Sequence, residues 1–272
     1  MPIGGYRFRR SFGSVEGRRF RGARPDGFSP EAQNYFDRLD VAGDTDYIAN
    51  KTAIAAYIDG LVALGGSYWD DAHTAALFEG VGFAGCSVPL KDTMPTITLN
   101  NFVSNDHSRT SGLTGDGATA YVDTGYDNIL LPQTDHSASV YINTAEPSSA
   151  GFKYFIGGAR TNISKDASDV IGTRSSSSTF NAVVGATRTD LGFYGLSRPD
   201  AAFTYNQRVD ATTGSVGQGT SNQLTGNMRV FHIAGAGGAT ISASEIGMYF
   251  ISHDLDNAVL RNLQDTLHAA IV

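Results

Sequence analysis

The chain has few of the residues that cross-link, charge or anchor a protein. Its single cysteine, Cys86, excludes an intramolecular disulfide among these 272 residues. Cys86 sits between the small residues Gly85 and Ser87, a context that fits a buried side chain better than a reactive thiol. Charged residues make up only 17%, against about 25% in an ordinary globular chain. No run approaches the ~18 apolar residues of a membrane-spanning helix. The arginine-rich start is not followed by the roughly 7–15-residue apolar stretch of a secretory signal. A protein kept in a cytoplasm-like compartment, or released by lysis, is therefore expected. What is abundant is glycine, 32 residues, together with serine and threonine through the middle of the chain. That composition suits short strands joined by many turns and does not suit a helical bundle.

The charge is unevenly divided. Residues 1–28 carry Arg7, Arg9, Arg10, Arg18, Arg19, Arg21 and Arg24 against Glu16 and Asp26, a formal +5. The whole chain is −7, which leaves about −12 on residues 29–272. A basic, aromatic, glycine-rich arm thus precedes an acidic body. The arm has too little aliphatic surface to offset roughly 1–2 kcal/mol of backbone entropy per ordered residue, so it should order only against a partner.

Along the body, residues 29–40 predict a short helix capped by Ser29, with Pro30 at its first position and Glu31 at the positive end of the dipole. Residues 45–64 predict a second helix capped by Asp44 or Thr45, with Ile54, Ile58, Leu61 and Val62 on one stripe and Gly65-Gly66 as its stop. A third short helix is expected over 70–79, with Trp69 packed into the core of this helical unit, which would span 29–88. After Pro89 the period becomes two. Strands are expected over 118–124, 137–143, 153–156, 168–173, 180–186, 203–207, 228–233 and 247–252. In 137–143, Ala138, Val140 and Ile142 face one way and Ser137, Ser139, Tyr141 and Asn143 the other, which predicts a sheet with one buried face. Residues 256–271 predict a final helix with a Leu260, Leu263, Leu267, Ile271 stripe and an Arg261–Asp265 pair. The expected fold is mainly β. A jelly-roll sandwich with its C-terminal helix would span 89–272, following the 1–28 arm and the helical unit.

The segment NFVSNDHSRTSGLTGDGATAYVDTGYD, with Arg109, Gly112-Leu113, Gly115-Asp116-Gly117, Tyr121-Val122 and Thr124, resembles a run in tailed-bacteriophage virion proteins. There it opens a concanavalin/laminin-G-like sandwich. The stretches LVALGGSYWDDAHTAALFEG, FYGLSRPD and EIGMYFISHDLDNAVLRNLQDTL are similar to the same proteins in position and type, so the resemblance covers about 45–272. It implies a virion structural protein of the tail-fibre, head-fibre or minor structural kind.

Site chemistry is sparse. A glycosidase needs two carboxylates converging across a sugar, and the acids of 115–260 form no such run, with Glu245 standing alone. The six histidines, His73, His107, His136, His232, His253 and His268, show no metal-ligand spacing and are expected in isolated surface or capping roles. No Gly-x-Ser-x-Gly elbow occurs. Gly115-Asp116-Gly117 with Asp123 invites a calcium reading, but two acids fall short of the oxygens calcium takes, and a tight Asp-Gly turn explains the run more simply. The serines 175–178 and the glycines 235, 237 and 238 are expected in loops. Tyr194, Phe203 and Tyr205 could serve as stacking platforms for a glycan, but core or interface roles are the expectation.

In the arm, arginine beside aromatics can hold nucleic acid through phosphates and stacking. It can equally dock on an acidic protein surface, with Tyr6, Phe8, Phe12 and Phe20 as plugs and Arg7, Arg9, Arg10, Arg18, Arg19, Arg21 and Arg24 pairing with carboxylates. Docking is the expectation. The sequence therefore predicts a structural protein without enzymatic activity or cofactor, made in the bacterial host cytoplasm and carried on the virion. It would be a short tail or head fibre whose lectin-like sandwich contacts the host surface; the alternative is a capsid decoration protein, and more remotely a glycan-active lectin or glycosidase. Expected partners are capsid, neck or tail subunits, further copies in a trimer, and a host-surface glycan. Neither nucleic acid nor a membrane is expected.

Overall fold

The computed structural model describes residues 27–271, apart from 150, 159, 177–178, 200–202, 208–212, 218–223 and 234–239; the side chains of 184–185, 203–207 and 213–217 also lie outside the description. Two antiparallel sheets form a sandwich. Sheet one runs in the order β13 (Thr213–Gly217), β12 (Phe203–Gln207), β11 (Gly192–Arg198), β6 (His136–Thr144), β15 (Glu245–Ser252), β4 (Gly112–Thr114) and β3 (His107–Ser108), with β1 (Thr74–Leu77) also pairing with β15. Sheet two runs β10 (Asn181–Thr187), β9 (Val170–Arg174), β8 (Asn162–Lys165), β7 (Lys153–Gly157), β14 (Asn227–Val230), β5 (Tyr121–Asp127) and β2 (Thr98–Asn100). The mainly β sandwich with a C-terminal helix agrees with the fold class expected from alternation and turn density.

Among the described residues three α-helices accompany the sheets: α1 (Pro30–Val41), α2 (Lys51–Leu64) and α3 (Asn257–Ile271). The Ser29 hydroxyl caps α1 by accepting from the Ala32 amide at 3.1 Å, and Ala32, Tyr35, Phe36 and Leu39 form its buried stripe. A 3-10 turn over Asp46–Asn50 precedes α2, so Asp44 and Thr45 do not cap it. Asp44 instead is buried and accepts from the Asp46 amide at 2.8 Å and the Gly82 amide at 2.7 Å, tying the start of this helical segment to the 82–85 turn.

Two expectations are corrected. Residues 74–77 form β1, a strand, because Thr74–Leu77 pair in register with Ile251–Met248 and all four are buried. Sheet pairing and burial outweigh the helical propensity of Ala75-Ala76-Leu77. Sheet one is also buried on both faces at its centre: every residue from His136 to Ile142 is buried. The side that faces away from sheet two is covered by α3, whose His268 ring lies 4.8 Å from the Tyr141 ring. Leu260, Leu267 and Ile271 of α3 are buried, each such aliphatic chain contributing roughly 1.5–3 kcal/mol. One hydrophobic cluster runs from Ala32 to Ile271 through helices and sheets alike. Among the described residues no helix is long and apolar enough to cross a membrane.

Histidines at the edges of sheet one are not isolated. The His73 ring stacks on Tyr126 at 4.7 Å and meets His253 at 4.7 Å, while His253 Nδ1 contacts Asp135 Oδ2 at 3.0 Å. His136 is fully buried; its Nδ1 donates to the Pro132 carbonyl at 2.6 Å, which leaves Nε2 to accept from the Ser175 hydroxyl at 2.8 Å. Burial pushes both His73 and His136 down from 6.5 to about 4, helped by the charge of His253 at the first and of Arg198 at the second. A histidine held neutral in the folded state loses stability as pH falls, because the unfolded chain binds protons that the folded chain refuses. The melting temperature should therefore fall steadily from about pH 6.5 to about pH 4, with His136 alone accounting for something on the order of 3 kcal/mol. A melting temperature that is flat across that window would contradict this assignment.

Candidate functional site

The Gly112–Gly117 motif is a structural joint. Gly112 has φ 99°, and a Cβ there would lie 2.1 Å from the Ile246 carbonyl oxygen, so β4 can approach β15 only with glycine at this position. A Cβ on Gly115 would similarly lie 2.1 Å from the Ser242 carbonyl oxygen. Asp116 caps its own loop: Oδ1 accepts from the Ala118, Thr119 and Ala120 amides at 2.7–2.8 Å, and Oδ2 from the Thr119 hydroxyl at 2.6 Å. Burial raises the Asp116 pKa, but these four donors outweigh it and hold the carboxyl down at about 2. Asp123 Oδ1 accepts from the Gly125 amide at 2.9 Å and from Asn227 Nδ2 at 2.7 Å. Both acids are occupied by N–H and O–H donors, the opposite of what a calcium ligand presents. Among the described residues no group of three or more His, Cys, Asp or Glu side chains is arranged to hold a metal ion.

Of the three aromatic candidates, Tyr194 takes the core role and not that of a glycan platform. It is 1% exposed, and its hydroxyl donates to the Asp190 carbonyl at 3.3 Å, so its ring belongs to the core. Phe203 and Tyr205 lie on β12, with side chains outside the described residues. Ser175 and Ser176 are buried rather than displayed on a rim loop; Ser177, Ser178 and glycines 235, 237 and 238 fall outside the described residues. So do all the arm residues, Tyr6, Arg7, Phe8, Arg9, Arg10, Phe12, Arg18, Arg19, Phe20, Arg21 and Arg24.

The structure brings an aromatic platform to the surface elsewhere. Trp69, expected in the core, is only half-buried and lines an open cleft of about 480 Å³. The opposite walls are the first turns of α1, with Glu31 and Asn34, and the 90–93 loop, with Lys91, Asp92 and Thr93; Asp70 lies beside Trp69. The walls are fixed from behind. The Arg38 guanidinium donates to the Leu90 carbonyl at 2.8 Å and to the Pro89 carbonyl, locking the loop to α1. The Lys91 ammonium donates to the Trp69 and Asp70 carbonyls at 2.6 and 3.0 Å and sits 5.5 Å from the centre of the indole. An indole, three carboxylates, an ammonium, an amide and a hydroxyl thus line one concavity, with the 90–93 loop tied to α1 and to Trp69. That set offers an apolar face for a sugar ring and acceptors for its hydroxyls. Sequence spacing gave no signal of this, because its walls come from three separate segments; the single tryptophan was the only local pointer.

No family model matches the chain, and no curated protein matches it. Solved structures do share the fold. Trypanosoma rangeli sialidase in complex with sialic acid matches 80% of this chain and 39% of its own at 12% identity, with a TM-score of 0.50. The same sialidase in complex with 2,3-difluorosialic acid, as a covalent intermediate, gives a TM-score of 0.51 at 11% identity, over 80% of this chain and 38% of its own. The binding domain of botulinum neurotoxin serotype D matches 72% of this chain and 52% of its own at 10% identity, with a TM-score of 0.52. The chain spans well under two thirds of each of these proteins, and at such identities the likeness is one of fold. The class so defined is a β-sandwich domain of jelly-roll type. The expectation that the chain has no enzymatic activity is corrected at this point: its sandwich occurs within sialidases, which are enzymes, so the fold gives no ground for that exclusion.

If Asp116 is a turn and not a calcium ligand, neither added calcium nor a chelator should move the melting temperature. Asp116→Ala should cost about 1 kcal/mol through its lost turn bonds. A calcium-dependent rise in melting temperature would refute the turn assignment.

Proposed function

We propose that this chain is a carbohydrate-binding, lectin-like sandwich carried on a tailed-phage virion, anchored there by its basic arm and presenting the Trp69 cleft to a surface glycan. The observation that carries the binding half is the cleft itself: the half-buried Trp69 lines an open concavity with Glu31, Asp70 and Asp92, and with Asn34 and Thr93. The sandwich fold supports the same reading, since it is shared with a sialidase bound to sialic acid and with a neurotoxin binding domain. The virion half is supported by the resemblance of the Arg109–Thr124 motif to virion proteins and by the split between a +5 arm and a −12 body. Arginines that pair with carboxylates of a neighbouring subunit would order the arm only on an assembled platform. Repeated copies would turn weak glycan contacts into firm attachment.

A glycan array probed with the intact protein should give discrete signals that fall by about tenfold or more in Trp69→Ala, the loss expected when a stacking platform is removed. A blank array with folded protein, or signals indifferent to Trp69, would rule out the cleft. In a separate assay, residues 29–272 should remain folded but fail to join particles. Undiminished incorporation would remove the arm from the account. Particles lacking the protein should fail to adsorb; normal adsorption with heat-fragile heads would instead assign it to capsid decoration.

A further inference from the structure

A second concavity, of about 430 Å³, lies between the β3–β4 turn, β6, the start of β11 and the last turn of α3. Its polar lining is Thr110, Ser111, Asn143 and His268, and Leu191, 43% exposed, stands at its edge. Behind Asn143 and His268 is Glu79, which is fully buried. Glu79 Oε2 accepts from Asn143 Nδ2 at 2.8 Å and from His268 Nδ1 at 2.9 Å, while Glu79 Oε1 has no hydrogen-bond partner. The site is built around a gap: a Cβ on Gly247 would lie 2.6 Å from both Glu79 Oε2 and Asn143 Nδ2.

A buried, incompletely satisfied carboxylate is costly. Here it does two things for the concavity. It accepts from the His268 ring at Nδ1, which leaves Nε2 as an acceptor in the neutral ring, and it takes one Asn143 amide proton, so that Oδ1 remains as an acceptor. The second Asn143 proton goes to the Ser111 carbonyl at 2.8 Å. Ser111 donates its hydroxyl proton to Glu245 Oε1 at 2.5 Å, so its oxygen is likewise left to accept. Glu245, alone in the sequence, is held from its other side by the Thr144 hydroxyl at 2.7 Å. The carboxylates of Glu79, Glu245 and Asp265 bound this region, and an anionic ligand would face all three.

We propose that this concavity binds a neutral pyranose, its hydroxyls met by His268 Nε2, Asn143 Oδ1 and Ser111 Oγ. This goes beyond the Trp69 reading and does not depend on it. The test is calorimetric titration of the full chain carrying Trp69→Ala, so that failure here is distinguishable from failure of the cleft. The probes are methyl β-D-galactopyranoside and methyl α-D-glucopyranoside, with D-glucuronate as the anionic control. One neutral glycoside or both should bind and glucuronate should not. His268→Gln should weaken binding by about tenfold, one hydrogen bond's worth. Leu191→Trp, a surface change that fills the edge of the concavity without touching the core, should abolish binding while leaving the melting temperature unchanged. No heat from either glycoside, equal binding of glucuronate, or binding that survives Leu191→Trp would overturn the proposal.

Discussion

The structure depends on how the chain crosses β15 at Gly247. The amides of Phe78 and Glu79 both donate to the Gly247 carbonyl, at 2.7 and 2.8 Å, as the chain leaves β1. That crossing is feasible only where the strand lacks a side chain, since any Cβ at 247 would strike the Glu79 carboxylate. From it follow the antiparallel pairing of β1 with β15, the burial of Ile246 through Ser252, and the seating of α3 over β6. Sheet one is thereby buried on both faces, and helices and sandwich share one core.

The same strand positions both concavities. At its far end the Ser252 hydroxyl donates to the Ser67 carbonyl and the His73 amide to the Ile251 carbonyl, which fixes the turn that presents Trp69. At its near end Glu245 orients Ser111, and Gly247 admits Glu79. Two surfaces with hydrogen-bonding groups and apolar walls thus hang on one rigid element, the arrangement a recognition module needs. The acidity of the body matches the acids around Trp69, and the arm carries the opposite sign. Contact with a glycan and contact with a carrier are divided between parts of the chain with different charge.

Much of the sandwich is legible in the sequence because strand alternation is a local signal. Residues 203–207 coincide with β12, and 137–143 and 247–252 fall inside β6 and β15. The cap at Ser29 and the leucine stripe of α3 are equally local. What escapes is whatever depends on partners distant in sequence. Thr74–Leu77 reads as helix until β15 is beside it. Glu79 and His268 meet across 189 positions, and Glu245 finds Ser111 across 134. Trp69 reads as core because nothing nearby says that α1 and the 90–93 loop stop short of covering it. Tyr194, in register with Val140, takes the core role on the face of sheet one turned away from α3.

The most direct test is a crystal structure of the full-length chain grown with a bound oligosaccharide. The account predicts a sugar ring against the Trp69 indole, with its hydroxyls on the carboxylates of Asp70 or Asp92. Finding instead the arginines of residues 1–26 packed against Trp69 between Glu31, Asp70 and Asp92 would contradict it, for the cleft would then be the socket of the arm and not a glycan site.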